Sequence, residues 1–239
     1  MLVRSTGQFA VDQTIPIEKR WGGWYVTGSH GSITHLGNAA LDTLFAAPAP
    51  VNMNWPSLDG KFNTDGYLST HSDIVALMVF EHQMHLMNLL SRIGWESRVA
   101  DYQHQAALVP LADAATEIVD YLLFVNEAPL SDRIRSSSGF TERFEAQGLR
   151  DRKGRSLRQL DLQHRLMRYP CSYMIYAPIF SQLPRPAKTA IYDRMWQVLS
   201  GGDRNPKYKP LSLADRRAIV EILRDTKDDL PVYFGSVDR

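Results

Sequence analysis

The strongest constraint on the fold is the long apolar stretch STHSDIVALMVFEHQMHLMNLLSRIGW. Its apolar residues cover nearly every face of an α-helix, and a helix of that kind is normally buried. Thr70 or Ser72 can cap its start, Asp73 in the first turn suits the helix dipole, and Gly94 predicts its end. We therefore predict a central helix over about 70–93.

A line of polar side chains interrupts this apolar helix. Glu81 and His85 are four positions apart and share one face, and His82 lies beside them. A buried carboxylate is costly unless it is paired, so the line predicts one of two environments. One is a metal or haem neighbourhood, with Glu81, His82 and His85 as metal ligands and Glu81 as the candidate catalytic group. The other is a hydrogen-bonded core network in which Arg92 or another cation pairs Glu81.

The spacing of these residues does not specify a metal. Helix-bundle metal sites use Glu-x-x-His, whereas Glu81 and His85 are separated by three residues. The HExxH and HxxEH motifs of zinc enzymes are also absent from this helix. Both interpretations of the polar line therefore stay open at this point.

Further helices are predicted along the rest of the chain. Residues 110–127 have an amphipathic pattern, and Pro110 suits a first turn. Near the C-terminus, Ser212 and Asp215 form a capping pattern. The helix that follows has an apolar stripe of Ala218, Ile219, Ile222 and Leu223. The predicted class is therefore mainly α, a helical domain around the long central helix.

The N-terminal part of the chain has a different character. Residues 1–69 are rich in glycine and proline and predict a loop-rich segment packed on the helical domain, with a weak helical pattern at 37–46. A segment this long without regular structure is unusual unless it has a function. The helical domain is predicted over 70–239, with a possible subdivision near 131–156.

The stretch KRWGGWYVTGSHGSITHLGN in this segment combines aromatic residues, glycines and histidines. Glycines allow close approach of the backbone to a flat or bulky group, and imidazoles beside aromatic surface suit a haem edge or a metal. The alternative is a packed loop that large aromatic residues anchor. A histidine at the start of the long helix could face the same site. The candidate cofactor-binding residues are Trp21, Trp24, Tyr25, His30, His35 and His71.

Composition excludes several classes of protein. The net charge is +1, without the basic excess of a nucleic-acid-binding surface. No apolar run reaches the roughly 20 residues that cross a bilayer, and residues 1–20 contain no apolar segment of signal-peptide type. The single cysteine, Cys171, has no adjacent base, which predicts a small buried hydrophobic residue.

Five motifs carry a resemblance to a known family: RWGGWYVTGSHG, HLGN, HSDIVALMVFEHQMH, LMRYPCSYMIY and ILRDTKDDLP. In this order they resemble the C-terminal part of a family of bacterial exported cytochrome c-like proteins. In that family the motifs follow a CxxCH haem-attachment region, which this chain lacks. The resemblance implies a periplasmic or otherwise exported protein. It also implies a haem c held by an upstream region or by a cytochrome-bearing partner chain.

Three functions are therefore considered. The first is a haem- or metal-associated redox module, for electron transfer or as an oxidoreductase, that works with a redox partner protein. The second is a haem-free metalloenzyme that uses Glu81, His82 and His85 around a transition-metal ion. The third is a non-catalytic helical interaction domain. None of them requires a membrane span or a nucleic acid.

Overall fold

The computed structural model describes residues 11–39, 49–103, 108–235 and 237. Within these ranges the chain forms α-helices, short 3₁₀-helices and no β-strand, which confirms the predicted mainly α class. None of the helices found there is both long enough and apolar enough to pass through a membrane. The α-helices are α1 (Ile74–Tyr102), α2 (Leu108–Leu122), α3 (Phe140–Ala146), α4 (Pro178–Ser181), α5 (Arg185–Leu199) and α6 (Leu213–Thr226).

Helix α1 is the predicted central helix, but it begins at Ile74 rather than near residue 70. Asp73 caps it, not Thr70 or Ser72, because one Asp73 carboxylate oxygen accepts hydrogen bonds from the backbone N–H groups of Val75 and Ala76. Its other oxygen accepts from the Ser136 and Ser138 hydroxyls and from the backbone N–H groups of residues 137 and 138. One carboxylate thus fixes the start of α1 to a distant loop.

The end of α1 also differs from the prediction, because the helix continues through Gly94 to Tyr102. A Cβ at position 94 would lie 3.3 Å from Leu183 Cδ2 and 3.3 Å from Arg98 Nη1. The glycine therefore allows close packing on the helix surface and does not terminate the helix, at a helix-propensity cost of about 1 kcal/mol relative to alanine.

The chain divides into two compact units, each built from segments that are separate in the sequence. The boundary in the long helix falls after His82, so α1 contributes residues to both units. Unit 1 comprises Met1–His82, Glu127–Ala146 and Leu160–Leu166, and unit 2 comprises Gln83–Asn126, Gln147–Gln159 and Met167–Arg239.

The described part of the loop-rich segment in unit 1 contains one short 3₁₀-helix, Ile17–Lys19. Residues 1–10 and 40–48, which include most of the weak helical pattern at 37–46, lie outside the described residues.

Backbone hydrogen bonds attach this segment to the start of α1. Thr27 N–H donates to the Ser72 carbonyl over 2.7 Å, and Ile74 N–H donates to the Thr27 carbonyl over 2.8 Å. Gly28 has a φ of 126°, and a Cβ there would lie 2.6 Å from Ile74 Cγ2 and 2.8 Å from the Arg135 carbonyl oxygen. Only glycine fits this close approach of two backbone segments.

Unit 2 is built by helix packing, in which α5 contacts both α2 and α6. Helix α2 ends at Leu122, short of the predicted 127. Phe124 and Asn126 adopt positive φ angles of 55° and 61°, a left-handed conformation that an α-helix cannot continue. The apolar residues that follow Leu122 enter the core from a turn rather than from a helix, since Leu123 and Phe124 are buried.

Two other predictions in unit 2 are confirmed. Ser212 caps α6, and its hydroxyl accepts a hydrogen bond from the Asp215 backbone N–H over 3.0 Å. The predicted apolar stripe of this helix is buried. Cys171 is fully buried, and this burial raises the pKa of its thiol, as expected of a small hydrophobic core residue.

Candidate functional site

The carboxylate of Glu81 is paired with Arg20 and Trp21 from the N-terminal segment. Arg20 Nη1 lies 3.0 Å from Glu81 Oε2, and Trp21 Nε1–H donates to Glu81 Oε1 over 2.6 Å. The side chains of Arg20 and Glu81 are only 4% and 12% exposed. Burial raises the pKa of Glu81, against the opposing effects of the Arg20 charge and the Trp21 hydrogen bond. The core-network interpretation thus has its cation, which is Arg20 rather than Arg92.

The two histidines beside Glu81 have other partners. His82 is fully buried, and its Nδ1 lies 2.6 Å from the side-chain oxygen of Gln13. His85 is half-buried, and its ring packs against Tyr121 with 4.4 Å between ring centroids.

No metal cluster forms at these residues. Among the described residues, no three histidine, cysteine, aspartate or glutamate side chains lie close enough together to hold a metal ion. Glu81, His82 and His85 are therefore not brought together as a three-ligand set. The physical reason is that Arg20, Trp21 and Gln13 already engage the groups on which such a set would depend.

His35 is the most unusual group of the site. It is fully buried, and neither of its ring nitrogens has a hydrogen-bond partner of normal geometry among the described residues. Burial lowers its pKa to about 4; the nearby His30 adds to this effect and the Gly37 backbone opposes it. The imidazole is therefore neutral at pH 7. Leaving a buried polar atom unpaired costs about 1–3 kcal/mol, which makes His35 a candidate for ligand binding.

Two aromatic rings surround His35. The Trp21 ring meets it edge-on with 5.7 Å between centroids, and the His30 ring lies at 4.7 Å. His30 is itself buried, with Nδ1 at 2.6 Å from the Ile33 carbonyl and Nε2 at 3.2 Å from the Met53 carbonyl. The ring of His30 is thus held by two backbone carbonyls, whereas the ring of His35 makes no hydrogen bond of normal geometry among the described residues. The predicted residues Trp21, His30 and His35 do come together, and Trp21 connects them to Glu81.

Trp21 occupies a strained backbone conformation. Its φ of 65° lies in the left-handed region, which a bulky residue rarely adopts. Such conformations cost about 1–3 kcal/mol and persist where the surroundings determine them, often at functional sites. Here the surroundings are the hydrogen bond to Glu81 and the contact with His35. The strain indicates that the surrounding contacts with Glu81 and His35 hold this indole ring in one position.

The other predicted cofactor-binding residues lie elsewhere in unit 1. Trp24 is mostly exposed and donates to the Ser72 hydroxyl over 3.2 Å. Tyr25 is also exposed and stacks on Phe62, with ring centroids 4.8 Å apart. His71 lies 3.4 Å from the Ser137 hydroxyl. None of these three contacts involves Glu81 or His35.

Sequence reasoning missed Arg20 and Glu127. Glu127 is half-buried and accepts a hydrogen bond from the Leu166 backbone N–H over 2.8 Å. Burial raises its pKa to about 7, against the effects of this hydrogen bond and of the charges of Arg165 and Arg20. Arg20 thus serves two acidic groups. The sequence analysis named Arg92 or another cation as the partner of Glu81, and the position of Arg20 directly before Trp21 was the one signal that pointed to it.

The resulting site is a connected group of five residues: Arg20, Trp21, His30, His35 and Glu81. It offers a neutral buried imidazole, an indole that donates to a carboxylate, and a compensating guanidinium. Comparison with models of protein families, with curated proteins and with solved structures finds no match to this chain. The resemblance to exported cytochrome c-like proteins therefore stays a prediction.

Proposed function

We propose that the chain is a haem-associated redox module of an exported protein, in which His35 would hold the haem iron. The observation that carries this proposal is the state of His35, which is fully buried, neutral at pH 7 and, among the described residues, without a hydrogen-bond partner of normal geometry at either ring nitrogen. Neutral imidazole nitrogen is the ligand that haem iron most often takes from a protein.

The described residues contain no three-residue ligand cluster, and this supports the haem proposal over a bare metal ion. A zinc or non-haem iron site takes at least three protein ligands, and the described residues contain no such group. A haem supplies four ligands itself and needs only one or two from the protein. The geometry of the site therefore favours haem over the metalloenzyme alternative, and bound haem would supply the one-electron chemistry.

Trp21 and Glu81 are suited to support such a site. The indole lies against the His35 ring, and its N–H donates to Glu81 at 2.6 Å. This hydrogen bond fixes the indole plane, and the Glu81 carboxyl group accepts it from the only N–H group of the ring. The charge of Arg20 opposes the rise in the pKa of Glu81 that burial causes. Glu81 is thus assigned a proton-holding role and Arg20 a positioning role.

The test is a titration of the full chain with hemin, followed by its Soret absorption. We expect a saturable spectral shift for the wild type and a loss of affinity of at least about tenfold in His35→Ala, because one iron–nitrogen bond is lost. His164→Ala is the matched control, since His164 lies in the same unit with its side chain exposed. Circular dichroism checks that both variants fold. Equal hemin affinity in wild type and His35→Ala contradicts the proposal.

A second candidate, the non-catalytic interaction domain, is favoured by an exposed aromatic cluster in unit 1. Tyr67 and Leu68 are largely exposed, and Tyr67 meets Phe62, which in turn stacks on Tyr25. Exposed apolar groups that cluster in this way are typical of interaction sites. Under this alternative, Tyr67→Ser and Leu68→Ser together weaken association with a partner of the native protein, and hemin has no effect on it.

A further inference from the structure

A cavity of about 520 Å³ opens within unit 2, and no residue of the haem proposal lines it. This volume lies in the range of sites that hold a small organic molecule. Its walls come from α1, from the residues after α3, and from the 3₁₀-helix Tyr173–Tyr176 with the start of α4. The lining residues on which the argument depends are Gln83, Met87, Leu149, Ser156, Tyr173 and Met174.

The side-chain amide of Gln83 is held in one orientation and keeps a donor to spare. Its Oε1 accepts a hydrogen bond from the Tyr173 hydroxyl over 3.0 Å, and its Nε2 has only Met87 Sδ, a weak acceptor, at 3.9 Å. An amide NH₂ group carries two N–H donors, and no described residue accepts from the second one. Since Gln83 is half-buried and lines the cavity, a ligand there can accept from this N–H group.

The hydroxyl group of Ser156 is a second donor on the same wall. Ser156 is only 1% exposed, and its Oγ accepts a hydrogen bond from the Arg158 backbone N–H over 3.2 Å. Among the described residues, none accepts the hydroxyl proton itself. Buried donors in native proteins are usually satisfied by protein, by ordered water or by a ligand. Because Ser156 lines the cavity, an acceptor on a ligand would satisfy this one.

The charges of the wall do not require a charged ligand. Among the described lining residues only Arg158 is charged, and it is already engaged. Its Nη1 donates to Gln147 Oε1 over 3.2 Å, and its guanidinium carbon lies 4.6 Å from the centroid of the Tyr173 ring. No aspartate or glutamate is found among these lining residues, so a cationic ligand would have no counter-ion. The wall instead needs hydrogen-bond acceptors.

The rest of the wall suits a flat apolar body. Met87 and Met174 both line the cavity, and methionine side chains adapt to irregular shapes and make favourable sulfur contacts with aromatic rings. Leu149 lines the cavity too and is exposed, so a ligand that covers it would bury further apolar surface. Sites for small molecules typically combine such apolar walls with a few placed polar groups.

We infer that this cavity binds a small, uncharged aromatic molecule that carries a carbonyl group. The carbonyl oxygen has two lone pairs and accepts hydrogen bonds from Gln83 and Ser156. The aromatic ring lies on the wall of Met87, Met174 and Leu149. An amine or an alcohol would bring a further donor to a wall that lacks acceptors.

The first test compares two ligands that differ in one carbonyl group. 1-Indanone and indane are titrated into the full chain, which carries ¹³C-labelled methionine methyl groups, and NMR follows the methyl signals. We expect 1-indanone to shift the signals of Met87 and Met174 but not that of Met195, which is buried in unit 2 and does not line the cavity. The ketone should bind about threefold to tenfold more tightly than indane, the range that neutral hydrogen bonds contribute.

Two kinds of result contradict this inference. Equal affinity for 1-indanone and indane, or unshifted Met87 and Met174 signals at millimolar 1-indanone, overturns the carbonyl site. Tighter binding of the anion 1-indanecarboxylate, or of protonated 1-aminoindane, than of 1-indanone overturns the choice of an uncharged ligand.

The second test assigns the donor. Ser156→Ala should lower the affinity for 1-indanone by about threefold and leave the affinity for indane unchanged, because only the ketone uses the hydroxyl group. Ser97→Ala is the matched control, since Ser97 is also buried in unit 2 but does not line the cavity. An equal loss for both ligands, or no loss for 1-indanone in a folded Ser156→Ala variant, overturns the assignment.

A second variant keeps the inference testable if Ser156→Ala does not fold. Gln83→Met removes the other donor at similar volume and should also weaken the binding of 1-indanone selectively. Gln197→Met is its control, because Gln197 Oε1 likewise accepts from a side chain, that of Arg194, and Gln197 does not line the cavity. Unchanged affinity for 1-indanone in Gln83→Met overturns the role of this amide.

Discussion

Unit 1 and unit 2 have cores of different chemistry. Among the residues that the structure describes, eight buried polar or charged residues lie in unit 1 and four in unit 2, although unit 2 is the larger of the two. Unit 2 is stabilised by apolar helix faces and local caps, as in α6. Unit 1 has few helical turns, and its long loops need polar side chains to satisfy buried backbone groups. Removing one polar side chain should therefore cost much more in unit 1.

The largest expected difference is between the two helix caps. Asp73→Ala should lower the free energy of unfolding by about 4–5 kcal/mol, because it leaves the donors of α1 and of the serine loop unpaired. Ser212→Ala removes one cap bond in unit 2 and should cost about 1 kcal/mol. Urea unfolding of both variants measures the difference. Similar losses of unfolding free energy for the two variants would show that removing a polar side chain costs as much in unit 2 as in unit 1.

A second comparison sets a buried ion pair against an exposed one. Arg20→Met leaves the Glu81 carboxylate buried without its cation and should cost about 3–4 kcal/mol. Arg92→Met breaks the ion pair between Arg92 and Glu117, whose side chains are 43% and 52% exposed. That loss should be at most about 1 kcal/mol.

The double variant Arg20→Met/Glu81→Leu sharpens this comparison. Since the cost of Arg20→Met comes from a stranded carboxylate, replacing that carboxylate by an apolar group should restore much of the stability. Additive losses in urea unfolding would show instead that Arg20 acts mainly through its bond to the Ile15 carbonyl.

The two units also differ in how much of their structure could be predicted from the sequence. The stripe of Ala218, Ile219 and Ile222 with the cap at Ser212 is a local pattern, and helix packing in unit 2 uses it directly. The site in unit 1 depends on Arg20 meeting Glu81, 61 positions away in sequence. No local spacing specifies such a pair. Sequence reasoning could therefore find the unusual residues of α1 but not their partners.

The predicted boundaries of α1 were wrong for a related reason. Gly94 is a common stop signal, but a contact with Leu183 determines its role here. Asp73 was placed in the first turn rather than at the cap, because the serine loop that fixes its carboxylate lies more than 60 residues away. In both cases the local sequence fits two helix boundaries equally well, and a tertiary contact determines which of them forms.

The pH dependence of stability should report His35. Its pKa is lowered in the folded chain from 6.5 to about 4, so the unfolded chain binds a proton that the folded chain does not. Stability is then complete above about pH 6.5 and should fall by about 3 kcal/mol as the pH drops towards 4. Urea unfolding of the haem-free protein between these pH values measures the loss.

A variant separates His35 from other groups. Glu127, whose pKa is raised to about 7, contributes the opposite slope, since the folded chain retains a proton that the unfolded chain releases. This slope is common to wild type and His35→Gln, so the difference between the two proteins isolates His35. A profile for His35→Gln that parallels that of the wild type would contradict the assignment.

The smallest expected effect is that of Gly94→Ala in α1. The alanine gains about 1 kcal/mol of helix propensity, but its Cβ would crowd Leu183 Cδ2 and Arg98 Nη1 at 3.3 Å. Both atoms are ends of flexible side chains, so the crowding should yield and the net change should stay within about 0.5 kcal/mol. Ser91→Ala, at an exposed site of the same helix, should gain helix propensity without crowding, by less than Gly94→Ala because serine forms helices better than glycine does. A Cβ at Gly28 would meet a backbone carbonyl oxygen that cannot move aside. A loss of more than about 2 kcal/mol for Gly94→Ala would mean that the side chains around Gly94 cannot move aside either.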